Sequence, residues 1–347
     1  MQHEITAPQR LLNDKGNIAE PGFAKKLYWK YDRADIKAPK WRIKEWDYYY
    51  IGNRNYGLAL TISDSGFVSS LSVSLLGFGD EPFQMNDGAM GAFPLGKLNL
   101  PATSETGDTA AKVGKADMAF LNNGKERHLV GKMADYCKSG SDLTFDILLT
   151  GAPEESMVIA TPFDKDAHFY YNQKINCMWA EGFCEFNGTR YEFTKENGSL
   201  AGLDWGRGVW TYDNTWYWGS GNILLPNGER FGYNIGYGFG NTSAASENML
   251  FYKGKAHKLE DVTFNIPQDE KGNYLYTEPW TFTSSDGRFE MTFKPILDRQ
   301  DPVDFKVICM LPHQVFGLLS GKAVLDGGEL IEVSDALVFA ERVHNKW

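Results

Sequence analysis

From Phe67 to Leu75 the chain reads Phe-Val-Ser-Ser-Leu-Ser-Val-Ser-Leu, apolar residues alternating with serine at a period close to two. Successive side chains of a strand point to opposite faces, so such a run buries one face and leaves the other polar. That is the pattern of a half-buried antiparallel strand. It recurs along the chain. Leu58, Leu60 and Ile62 alternate with smaller residues ahead of a turn at Asp64-Ser65-Gly66. Phe183-Cys184-Glu185-Phe186 turns at Asn187-Gly188 into Tyr191-Glu192-Phe193, and Asn-Gly favours the tight type I′ hairpin. Few segments sustain a helical period. Aromatic residues make up 14% of the sequence, a share that suits sheet. Many short antiparallel strands lead to sandwiches or barrels, and 347 residues suit two domains better than one. The expected fold is all-β, with two antiparallel β-barrel domains in tandem.

Turn signals set the expected boundaries. Residues 1–44, with Leu11 to Gly16 and Pro21-Gly22, read as an irregular N-terminal arm. Residues 45–200 form the first expected barrel. Within it, residues 78–116 are rich in glycine and small residues and contain Pro82, Pro94 and Pro101, which suggests a long loop or lid. Residues 201–347 form the second.

Composition excludes several classes. A net charge of −10 argues against nucleic acid as a partner, because phosphate binding needs a concentrated basic surface. The basic run Lys37 to Lys44 reads as a solvated entry segment. Cys137, Cys177, Cys184 and Cys309 lack C-x-x-C spacing and are expected to be reduced. The six histidines show no metal-ligand spacing, so no metal site is expected. The start of the chain has neither the basic nor the apolar region of a signal peptide. No stretch has the length of an integral membrane span, and the expected location is cytoplasmic. Gly232, Gly236, Gly238 and Gly240 alternate with Tyr233, Ile235, Tyr237 and Phe239. This is a strand whose glycine face admits a ligand, the arm or another sheet.

The chemistry-bearing candidates gather at the midpoint. Leu203-Asp204-Trp205-Gly206-Arg207-Gly208-Val209-Trp210 is followed by Trp216-Tyr217-Trp218. A carboxyl pressed among indoles is desolvated, which keeps it protonated and able to protonate a weak base such as an alkene. Asp204 is then the acid and Arg207 its orienter. Trp205, Trp210, Trp216 and Trp218 form a wall that can stabilise a developing cation. Tyr233, Tyr237 and His313 are further ligand-facing candidates. A structural reading stands beside this one, with Asp204 paired to Arg207 or Arg190 and Trp205 closing a barrel base.

The stretch Gly182 to Gly208, ending in Asp-Trp-Gly-Arg-Gly, resembles a bacterial family of unknown function, as do Lys44-Glu45-Trp46-Asp47-Tyr48-Tyr49 and the segment to Leu76. More distantly, the chain is similar to the order of glycine, hairpin and then Asp-x-x-Trp-Gly in AttH-like proteins and carotenoid 1,2-hydratases, whose architecture tandem lipocalin-like Diels–Alderases share. That resemblance implies two lipocalin-like barrels with an apolar cavity between or within them. It also implies cofactor-independent chemistry, in the hydratases the addition of water to an isoprenoid double bond by protonation. Here Asp204 directly precedes Trp205 with no histidine beside it, whereas the hydratase-like motif spaces the acid further from Trp-Gly. Two functions follow as expectations. One is a cofactor-free lyase, hydratase or cyclase acting on an isoprenoid- or polyketide-like molecule. The other is a non-catalytic carrier of a hydrophobic ligand.

Overall fold

Period-two patterning dominates the computed structural model, which describes residues 2–304, 306 and 309–347. Strands account for nearly all regular structure. Among the described residues the only helices are short 3-10 turns at Arg33–Asp35, Lys40–Arg42 and Tyr136–Lys138.

The strands form two large antiparallel sheets, of 13 and 10 strands. The first runs in the order Phe83–Ala92, Val68–Gly77, Tyr56–Asp64, Ile43–Gly52, Leu200–Val209, Phe169–Phe186, Leu143–Thr150, Arg127–Met133, Ala116–Asn122 and Thr109–Val113. Its two end strands curl back towards each other, and Gly91 leaves room for Val113. The second runs Lys255–Lys258, Met249–Tyr252, Arg230–Tyr237, Asp213–Leu224, Leu330–Lys346, Cys309–Val324, Phe289–Arg299, Trp280–Ser284 and Val262–Asn265. Each curls around its own core, giving two lipocalin-like barrels in tandem.

Alternation decides what each barrel holds. On Val68–Gly77, Leu71, Val73 and Leu75 enter the first core, while Ser70, Ser72 and Ser74 face outward. Trp205, Tyr171, Phe120 and Phe145 are among the side chains that fill the first core. Phe231, Tyr233, Trp280 and Phe282 fill the second. A third apolar cluster, with Tyr50, Phe78, Tyr170, Trp218, Phe316 and Phe339, lies where the outer faces of the two barrels meet.

One expected boundary moves, and two expected segments take a different form. The arm is a plug: Gly22–Ala24 pairs with Met157–Pro162, and Leu11, Leu12, Trp29 and Tyr31 are buried in the first core. Each such side chain contributes about 1.5–3 kcal/mol through burial. The division near residue 200 falls later, because Leu200–Val209 sits between Ile43–Gly52 and Phe169–Phe186 in the first sheet. The second sheet starts with Asp213–Leu224. The glycine-rich segment 78–116 is not one long loop, since it supplies the strands Phe83–Ala92 and Thr109–Val113. Its small residues suit an edge where the sheet folds back on itself. All four cysteines are free.

Candidate functional site

A cavity of about 360 Å³ opens between the barrels, on the outward faces of both. Even-numbered residues of Ile43–Gly52, Lys44, Trp46 and Tyr48, point into it. Thr61 and Ser63 pair directly with Ser72 and Ser70 on the next strand, making a hydroxyl-rich wall. Trp210, Trp216, Trp218 and Phe239 form an aromatic wall, and Gln314, Glu341 and Val343 come from the second barrel. A second recess of about 440 Å³ lies between the barrels near Asn53 and Leu225. Its charged residues, Arg54, Glu196, Glu332 and Asp335, are solvent-exposed.

Asp204 faces the 360 Å³ cavity and is buried. Its partner is Lys174, directly opposite on the neighbouring strand, with Nζ 2.8 Å from Oδ1. Asn172 Nδ2 donates to the same oxygen at 2.6 Å. The Lys174 ammonium also lies 4.0 Å from the centre of the Trp218 ring. Trp218 is held in turn by its Nε1, which donates to Asn234 Oδ1 at 2.7 Å. The sequence expectation of an acid enclosed only by indoles is therefore corrected. Asp204 is half of a buried ion pair, and neither Arg207 nor Arg190 reaches it. Arg190 pairs with Glu185 and Glu192 at the surface.

The desolvated acid on this cavity is Glu341, which sequence reasoning missed. Burial pushes its carboxyl up to about 7, against the pull of Trp216, Lys174, Arg299 and Gln314. Trp216 Nε1 donates to Oε1 at 2.8 Å and Gln314 Nε2 to Oε2 at 2.9 Å. Arg299 steadies Gln314 at 2.6 Å and reaches Ser74 Oγ on the other barrel at 2.8 Å. A carboxyl titrating near neutrality can hold a proton and release it at physiological pH. Behind Tyr170, whose hydroxyl donates to it at 3.2 Å, lies buried Glu247. Burial raises this carboxyl too, with Lys174 opposing and Asp204 reinforcing.

Two more polar groups face the cavity. Lys44 belongs to the basic run expected to be solvated, yet it is only 5% exposed and its Nζ has no hydrogen-bond partner among the described residues. The Tyr48 hydroxyl stands beside Gln314 without a well-formed hydrogen bond, and burial raises it to about 12.

The midpoint motif divides by strand alternation. Asp204, Gly206 and Gly208 face the second barrel, while Leu203, Trp205, Arg207 and Val209 belong to the first barrel's interior. Trp46 lies over Gly206, where any Cβ would overlap its indole. Arg207 is fully buried. Its guanidinium donates to the carbonyls of Trp46, Gly206 and Pro101, each at 2.8 Å, and pairs with Asp47 at 3.1 Å. It also stacks over Trp205 at 4.2 Å. Arg207 and Trp205 are thus a structural plug and do not touch the cavity.

Trp210, Trp216 and Trp218 do line it, although the face of Trp218 is occupied by Lys174. Tyr233 lies in the second core and Tyr237 packs against it, because the glycine face of their strand is the one turned to the first barrel. Gly232 leaves room there for Cys177 and Asn176. His313 points away from the cavity, bonded to Asp298 at 2.8 Å and stacked on Tyr276 at 3.7 Å. Among the described residues, no cluster of His, Cys, Asp or Glu side chains is arranged to hold a metal ion. No helix there is long and apolar enough to cross a membrane.

The family model described as a domain of unknown function, DUF2804, matches residues 2–347. A search of curated protein sequences finds no match. Among solved structures, the chain is similar to an AttH protein from Nitrosomonas europaea, with 11% identity and a TM-score of 0.50, over 91% of this chain and 96% of that one. It is similar to kievitone hydratase from Nectria haematococca, with 12% identity and a TM-score of 0.50, over 98% of each chain. These likenesses are of fold alone.

Proposed function

This chain belongs to the DUF2804 family, and we propose that it is a cofactor-independent hydratase- or cyclase-type lyase. Its substrate is an apolar small molecule, isoprenoid- or polyketide-like, held between the barrels. One observation carries the reading: two buried carboxyl groups share one aromatic cavity in opposite environments. Glu341 is desolvated and titrates near neutrality, whereas Asp204 is fixed against Lys174. Pairs of acids set apart by their surroundings are how one site supplies both a proton donor and a proton acceptor.

In this mechanism Glu341 delivers a proton to a carbon–carbon double bond. The rings of Trp210 and Trp216 stabilise the positive charge that develops. Asp204, oriented by Lys174 and Asn172, takes the proton from the water that adds, or from the carbon that closes or eliminates. The hydroxyl wall of Ser70, Ser72 and Thr61 positions that water. Kievitone hydratase is a hydratase by name on a similar two-barrel frame, which supports the reaction class and leaves the substrate open.

The test is to incubate the protein with a panel of isoprenoid alkenes in oxygen-18 water and follow products by mass spectrometry. A labelled hydration or cyclised product that Glu341→Gln abolishes supports the proposal. A carrier of hydrophobic ligands gives saturable binding and no product with either protein.

A further inference from the structure

Lys174 and Lys44 line the same cavity, and only one of them is ion-paired. Lys174 is bound to Asp204. Lys44 is equally buried, yet no carboxylate pairs with it among the described residues, and its Nζ makes no hydrogen bond. Its Nζ lies 4.1 Å from the centre of the Trp347 ring and 5.6 Å from that of Trp210. The charged group that acts on it is Arg42, of the same sign, held in place by the Trp210 carbonyl.

We propose that Lys44 is a nucleophilic amine that captures the carbonyl carbon of an apolar aldehyde or ketone in this cavity as an imine. Burial among rings and a neighbouring cation are the two means by which proteins activate lysine for this reaction. Both act here, burial first and Arg42 second, and they hold the amine well below the usual lysine range. The amine therefore sheds its proton, and frees its lone pair, more readily than an exposed lysine does.

The step balances without a further reactant. The Nζ lone pair forms a bond to carbon while the carbonyl π pair moves to oxygen. That oxygen takes up the proton nitrogen sheds, giving a carbinolamine. Water then leaves with this oxygen and the second nitrogen proton, and the C=N bond forms. The proposal rests on the reading that an apolar small molecule enters the cavity, but not on proton delivery by Glu341. It narrows the substrate class to molecules that carry a carbonyl group.

The experiment uses citral, an isoprenoid aldehyde, with sodium cyanoborohydride, which adds hydride to the iminium carbon and makes the link permanent. Peptide mapping reads which lysine is modified, and tryptophan quenching reads whether citral enters the cavity. The expected result is saturable quenching and modification of Lys44 at least about tenfold faster than of any exposed lysine. Lys44→Met, with an unchanged circular dichroism spectrum, is expected to lose that fast modification. Saturable quenching with adducts only on exposed lysines overturns the proposal and leaves the cavity reading standing. Binding of decanoate that Lys44→Met abolishes, with no citral adduct at Lys44, also overturns it by making Lys44 a carboxylate clamp. Absence of quenching by either probe overturns both readings.

Discussion

Lys174 and Asp204 stand directly opposite one another on adjacent antiparallel strands, with 2.8 Å between Nζ and Oδ1, on a barrel face that is buried rather than solvated. Cross-strand pairs of this kind usually face water, where they contribute little. Here a second barrel covers them, so removing either partner strands a charge. Asp204→Asn is expected to destabilise the fold by about 3 kcal/mol. Asp204→Asn combined with Lys174→Met is expected to recover most of that loss. Urea unfolding of the single and double variants measures the coupling. Equal losses in both would show that the pair has no special role.

Glu341 makes stability depend on pH. Its folded value, about 7, lies above the ordinary glutamate value of 4.5, so the native state binds the proton more tightly. Its contribution is full below the unfolded value and is lost as pH rises through about 7. The loss amounts to about 3 kcal/mol at most. Glu341→Gln removes this dependence, although its amide cannot accept from both Trp216 and Gln314. Between pH 5 and pH 8 the change in unfolding free energy is expected to be shifted upward in the variant, which loses less stability or gains more than the wild type does. Parallel curves would contradict burial as the cause.

Lys44 carries the opposite linkage. Its folded value is depressed, so the native state sheds the proton more readily than the unfolded chain, and stability rises with pH up to the ordinary lysine range. Lys44→Met replaces an unpartnered amine with an apolar chain of similar length. A higher melting temperature at pH 7 is expected, in exchange for the lost reactivity. Differential scanning calorimetry decides it, and a clear drop would mean that the amine has a partner in solution.

Trp46 lies across Gly206 so closely that no Cβ fits between them. Gly206→Ala is expected to destabilise by about 1–3 kcal/mol through overpacking. It should also move Trp46 into the cavity and weaken ligand binding. Thermal melts and a binding titration read the two effects. A neutral substitution would show that the indole moves freely.

Arg207 serves the first barrel only. Arg207→Met leaves Asp47 and Glu45 without their buried guanidinium and is expected to cost about 3–5 kcal/mol. Whatever fraction remains folded should bind cavity ligands with unchanged affinity. Altered affinity would link the two faces of Leu200–Val209.

The sheets were legible because alternation is a local property: Phe67–Leu75 and the Asn187-Gly188 hairpin carry it in the sequence itself. The same rule separates Asp204 from Trp205 and Arg207, since neighbours on a strand face opposite ways. Read as a cluster, the motif blended a cavity residue with a barrel plug. Read by parity, Gly232, Asn234 and Gly236 share one face and Tyr233, Ile235 and Tyr237 the other. Which face meets the second barrel depends on contacts between distant segments. Lys44 and Glu341 escaped notice for that reason. Each is a charged residue on a strand, a pattern normally solvated, and only the docking of the barrels buries it. The arm reads as irregular because its strands, Gln9–Arg10, Gly22–Ala24 and Trp29–Lys30, are too short to show a period.

The central claim is that small molecules bind between the barrels and not inside either one. A tryptophan-fluorescence titration with geraniol tests this most directly, because Trp46, Trp210, Trp216, Trp218 and Trp347 all border the cavity. The account predicts saturable quenching with one site per chain, weakened at least about tenfold by Ser72→Phe, which fills the cavity from the hydroxyl wall. Quenching that never saturates, or that Ser72→Phe leaves unchanged, would contradict it.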